Sequence, residues 1–376
     1  ADNNTAIGYQ ALTDNTTGIQ NIAVGSMALQ NNSTGDYNVG VGYRPLDANT
    51  TGDANTAMGY AALYSNSTGN NNSAFGYSAL LYNTTAANNC AFGYNALAAN
   101  TTGTANVAVG AEALDASNAD YCTAVGRSAL SANTTGTMNT AVGSNALDDN
   151  TTGGYNTAVG TNSLGGNTTA SYNVAIGNES LEANTTGTNN VAVGYRALEA
   201  NTTQSNNTAI GYQASASATN ANMNTVVGRN AMFTNVNGDR NVAIGDYALY
   251  TMNPASDADT ANVAVGKNAM YATTTGVNNT AVGYNVMEAN TTGNSNVAVG
   301  YAALDANTTG GSNIAIGNNA LGANTTASEN VAIGVESLKA NTTGTGNVAV
   351  GHEALEANTT ASQNTAVGYE ALTANT

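Results

Sequence analysis

Charge is scarce in this chain, and positive charge scarcer still. Only 8% of residues are charged, with seven Lys or Arg against 24 Asp or Glu, for a formal net charge of −17. No basic stripe exists to neutralise phosphates, which argues against nucleic acid and anionic membranes as partners. His352 is the only histidine, so no His-based triad or repeated metal site can be assembled. No phosphate loop or zinc spacing occurs either, and the chain reads as a non-enzyme without a cofactor. Trp is absent and Phe75, Phe92 and Phe233 are the only phenylalanines, which excludes a large aromatic core. The two cysteines, Cys90 and Cys122, lie two repeats apart, ~9–10 Å at the usual strand spacing and beyond disulfide reach. No apolar run approaches the ~20 residues of a spanning helix, so no membrane insertion is expected of this segment.

What fills the chain instead is one short sentence repeated. Gly8, Gly25, Gly42, Gly59, Gly76 and Gly93 recur every 17 residues, and the same glycine returns in 22 units as far as Gly368 with two breaks in step. A fixed period of this length means that each unit buries its apolar face only against its neighbours. The fold class expected is therefore all-β: a parallel β-solenoid, or β-roll, of 22 coils with a 17-residue repeat, forming one continuous array over residues 1–376. At ~4.8 Å per coil it would extend for about 105 Å.

Numbering each unit from its glycine as zero, position −4 is Asn in 21 of 22 units, with Cys122 as the exception. Position −1 is always apolar and +4 is Leu in 18 units. These two columns read as the core, which places Val24, Val109, Ile176, Leu97 and Leu198 inside. The period-2 run Asn-Thr-Ala-Val-Gly reads as a strand of about four residues ended by its glycine. A second short extended stretch around Ala-Leu is expected next, and Asn-Thr-Thr-Gly supplies the return corner. The breaks, one residue short between Gly110 and Gly126 and four long between Gly245 and Gly266, both fall in that corner. Stacking in register makes ladders of identical residues. The −4 asparagines can either chain their amides along the axis or bond only their own turn.

If the −1 side chains point inward, the alanines at −2 point outward, and small size repeated on an outer face suits close approach of another chain. Ala108, Ala158 and Ala298 are accordingly candidates for self-association. Sixteen Asn-x-Thr sequons stand at +7: Asn15, Asn32, Asn49, Asn66, Asn83, Asn100, Asn133, Asn150, Asn167, Asn184, Asn201, Asn290, Asn307, Asn324, Asn341 and Asn358. In an exposed corner these would be glycan acceptors; as copies of one turn motif they carry no such meaning. Acidic residues recur at +5, as at Asp47, Glu182, Glu199, Asp305 and Glu356, but other units carry Thr, Gln, Tyr or Ala there, so no calcium ladder is expected. Tyrosine follows the glycine in ten units, a stripe able to cover a seam or to meet carbohydrate or another fibre.

The segments Asn-Val-Ala-Val-Gly at 106–110 and Asn-Val-Ala-Ile-Gly at 173–177 resemble the head repeats of trimeric autotransporter adhesins and haemagglutinins, and are similar to runs in viral tail-fibre-like proteins. The resemblance recurs along the whole chain, although the unit here is longer than the family's usual one. It implies a β-roll in which three chains lie side by side and attach to surfaces or host matrix. The expectation is thus a non-enzymatic extracellular or cell- or virion-surface fibre protein, homotrimeric, with a host receptor or glycan as further partner. Ala1 stands at +10 of a unit and Thr376 at +8, so the expectation is either a segment of a longer fibre or copies stacked end to end into a filament. The alternative is a monomeric ice-binding or carbohydrate-binding β-solenoid, with paired corner threonines as a flat array.

Overall fold

The computed structural model describes residues 2–375 as short strands, turns and bends, with no α-helix among them. The fold is the parallel β-solenoid that the glycine spacing predicts. It divides into two compact units, Ala1–Thr188 and Asn189–Thr376. In the first, eleven coils each contribute one strand, from Thr5–Ile7 to Val174–Ile176; in the second, eleven more run from Val191–Val193 to Thr365–Val367. Each strand is three residues long, positions −3 to −1, and pairs in parallel and in register with the next, as in Thr56↔Ser73 and Met58↔Phe75 or Thr280↔Val297.

The repeat glycine ends the strand for a steric reason. Gly42 has φ +135, and a Cβ there would lie 2.4 Å from the carbonyl oxygen of Gly59 in the next coil. Only glycine permits both the dihedral and the close stacking.

Beyond the glycine the expected second strand does not form. Every non-glycine residue with a left-handed φ falls at −5, +2 or +4, among them Tyr37 (φ 59), Arg44 (φ 56) and Leu46 (φ 52). Left-handed residues at +2 and +4 curl the Ala-Leu segment into turns instead of extending it. None of the three columns holds a single Val, Ile or Thr, although the chain is rich in Val and Thr. β-branched residues tolerate this conformation worst, which explains why the core residue at +4 is Leu or Met and never Ile.

The interior is lined by −2 and +3, mostly Ala, and by Leu at +4. Leu97 and Leu198 are fully buried, as expected. The assignment of the strand faces is reversed, however. Ala108, Ala158 and Ala298 are fully buried, whereas Val109 is 37% and Ile176 40% exposed, and Val24 is only partly covered. The cause is the narrow cross-section. At the −2 position of Gly40, a Cβ would already stand 3.3 Å from Pro45 and 3.4 Å from Leu29 side-chain carbons, so the strand's inner face admits little beyond a methyl group. The preference of large apolar residues for the interior gives way to the volume available.

Both breaks leave the strands in register: Val107 pairs with Thr123, and Val242 with Val263. The four-residue insertion adds a minor parallel pair of its own, Gly238–Asp239 with Ala258–Asp259.

Candidate functional site

Two columns of buried asparagine run through the coils, and both are structural. At −4, Asn38 accepts nothing from its own turn. It donates its backbone N–H to Oδ1 of Asn21 (2.9 Å) and its Nδ2 to the carbonyl of Gly52 in the next coil (2.7 Å). The chain of side-chain amides along the axis occurs mainly at +7: Nδ2 of Asn49 donates to Oδ1 of Asn32 (2.8 Å), Asn66 to Asn49 (2.8 Å) and Asn83 to Asn66 (2.7 Å). Each of these also closes its own corner, as Asn49 does on the Gly52 carbonyl (2.9 Å). Hydrogen bonding along such a chain is cooperative, and burial makes every unmade bond costly.

This geometry disqualifies fifteen of the sixteen sequons as glycan acceptors in the folded chain. Asn32, Asn49, Asn66, Asn83, Asn100, Asn133, Asn150, Asn167, Asn184, Asn201, Asn290, Asn307, Asn324, Asn341 and Asn358 are all buried; Asn15 alone is half-exposed. The Nδ2 to which a sugar would be attached is the atom that holds the ladder, as in Asn307 to Asn290 (2.9 Å). The corner threonines are partly engaged as well: Oγ1 of Thr50 and Thr134 donate to carbonyls one coil on, at 3.0 Å each.

Cys122 stands where the other units have the −4 asparagine, and its thiol imitates the missing amide by approaching the Gly136 carbonyl at 3.3 Å. Burial pushes this thiol's pKa up. Cys90 and Cys122 are both free.

The burial of Ala108, Ala158 and Ala298 removes them as contacts for a second chain. What the strands present outward is a regular rank: Val or Ile at −1 beside Thr, Val or Ile at −3. In the first unit this rank carries one bulky stretch, Met58, Phe75 and Phe92, with the two phenylalanine rings stacked at 4.7 Å. Beside the sheet, tyrosines at +1 stack from coil to coil. Tyr43, Tyr60, Tyr77 and Tyr94 form a continuous ladder with ring centroids 5.3, 4.8 and 5.5 Å apart. Further aromatic stacks arise at −5, where Tyr155 meets Tyr172 at 5.1 Å, and at +5, where Phe233, Tyr250 and Tyr271 follow one another. Only the +1 stripe is visible as a motif; the other two become columns once the register is fixed.

A column that the sequence reading missed stands at −6. Oδ1 of Asp36 accepts the backbone N–H of Ile19 (2.8 Å), and Asp53 does the same for Asp36 (2.8 Å). Elsewhere Ser171 and Ser328 take this role. Its only sequence signal is a recurrence of Asp, Asn and Ser at one variable position. At +5, Asp148 and Asp305 have pKa values raised by burial, and so does Asp115.

Comparison with family models and with curated proteins finds no match to this chain. Among the described residues no helix is long and apolar enough to cross a membrane.

Proposed function

We propose that this chain is a non-enzymatic structural and adhesive fibre element, working outside the cell or on a cell or virion surface, whose coils associate laterally with other copies of itself. The observation that carries this reading is the outward rank of Val, Ile and Thr, with alanine behind it. A strand face ~10 Å wide repeated over eleven coils at ~4.8 Å amounts to about 500 Å² in each unit. Either face alone is already of the size at which an exposed apolar patch marks an interaction site. A monomer has little reason to keep so large a regular apolar face in water. Three copies, as the adhesin resemblance implies, are the expected assembly, and sedimentation equilibrium tests it. A mass near three times 37.5 kDa supports the reading, whereas 37.5 kDa alone overturns it.

One observation favours a second reading. Thr123, Thr140 and Thr157 line up at −3 beside Val125, Val142 and Val159 on one face of the sheet. Such a face suits ordered water better than the corner threonines, whose hydroxyls are partly used. A monomeric chain that produces thermal hysteresis would establish ice binding in place of the fibre.

A further inference from the structure

The +2 column mostly carries side chains of asparagine size or larger, such as Gln10, Arg196 or Asn145, but at two successive coils it holds Ala61 and Ser78. Both are nearly buried. On one side of them stand the ladder tyrosines Tyr60 and Tyr77, and on the other Tyr64 and Leu81. The result is a groove of 280 Å³ lined by three phenol rings and one aliphatic side chain, with the small residues between them and Arg44 at one end. The volume falls just short of the ~300 Å³ from which ligand clefts run upward, enough for a single sugar residue rather than a larger ligand.

Arg44 is held rigidly. Its Nε and Nη2 donate to Oδ2 of Asp47 at 2.9 and 2.7 Å, Nη2 also donates to the Tyr64 hydroxyl at 2.9 Å, and the guanidinium lies 4.8 Å from the Tyr64 ring centroid. Nη1 makes no hydrogen bond to any described residue, so a pair of fixed donors is left for a ligand. Asp47 is almost fully buried and neutralises the arginine locally. Oδ1 of Asp47 has no partner.

We propose that this groove binds one residue of an extended neutral glycan, a β-linked hexopyranose chain that runs along the Tyr43–Tyr94 ladder. One pyranose residue of such a chain advances by about the length of one coil step, so successive sugars meet successive tyrosines. Stacking covers much of the ring faces and leaves edges and hydroxyls outward, so the ladder offers a ligand hydrogen bonds to its hydroxyls rather than a ring face, which a flat apolar ligand cannot use. The net charge of −17 and the locally neutral Arg44–Asp47 pair select against acidic glycans. This inference is independent of lateral association.

The test uses cellohexaose and polygalacturonic acid as probes on the full chain. Binding is read by calorimetry and by tyrosine emission, which is legible because Trp is absent. Cellohexaose should bind, and Ala61→Arg should weaken it by about tenfold or more. Arg44 and Arg196 already occupy this column with the same left-handed φ, so the variant should fold. Ala302→Arg, the same change at +2 far along the sequence, should leave binding unaltered. No binding of cellohexaose, equal affinity in Ala61→Arg, or tighter binding of polygalacturonic acid would each overturn the proposal.

Discussion

The backbone N–H of Asn72 donates to Oδ1 of Asn55 across 2.9 Å, and both residues are fully buried. That bond joins one coil to the next through a side chain rather than through the sheet. The same Asn55 reaches forward with Nδ2 to the Gly69 carbonyl at 2.8 Å. Replacing Asn55 by Ala strands the Asn72 N–H, at about 1–3 kcal/mol. Thr68→Ala, on an exposed side chain outside the left-handed columns, should stay within about 0.5 kcal/mol. Urea unfolding of the two variants checks this, and equal midpoints would contradict the ladder.

The sequons give a second prediction. Produced in a glycosylating secretory host, the folded fraction should carry no glycan at Asn49, Asn66 or Asn307, because Nδ2 of each already donates into the ladder. Intact mass before and after enzymatic deglycosylation measures this. A soluble, folded product with sugar at those sites would refute the corner geometry.

Ser215 interrupts the Leu column at +4, and its buried Oγ has no partner. Leucine occupies this place in 18 units with the same backbone. Ser215→Leu should therefore fill space and remove an unsatisfied hydroxyl, adding about 0.5–2 kcal/mol. A lower urea midpoint would mean that Met232 has already claimed the volume.

Acid should strengthen the solenoid. Burial raises the pKa values of Asp115, Asp148 and Asp305 above the ordinary aspartate value. Their folded carboxyls thus hold protons that the unfolded chain has lost. The stability they contribute is fully present below the ordinary carboxyl range and is lost as pH rises through the folded values. Asp246, held low by Arg229, runs the other way but on an exposed pair. The urea midpoint should be higher at about pH 3.5, below the ordinary aspartate value, than at about pH 7.5, and Asp148→Asn with Asp305→Asn should flatten the difference. A midpoint that climbs with pH would reverse the account.

The period, the strand, its terminating glycine and the Leu column were legible in the sequence because each repeats one residue with one steric meaning. The inside and outside of the strand were not. Ala158 and Val159 alternate, and alternation alone assigns two faces without saying which is which. The usual preference for burying valine pointed the wrong way, because the coil is too narrow for it. The missing signal was present in the absence of Val, Ile and Thr from −5, +2 and +4, which marks three left-handed positions and hence a tight curl. The groove at Ala61 and Ser78 was hidden for another reason: it depends on small residues at one column coinciding with tyrosines at two others.

The central claim is that the outward −3 and −1 rank, and not the alanine column, brings copies together. Its most direct test is the sedimentation mass of a chain with lysine at Val107, Val109, Val142 and Val159, compared with the unmodified chain. The unmodified chain should sediment at a multiple of 37.5 kDa and the variant at 37.5 kDa, with circular dichroism unchanged. The same mass for both chains would contradict it.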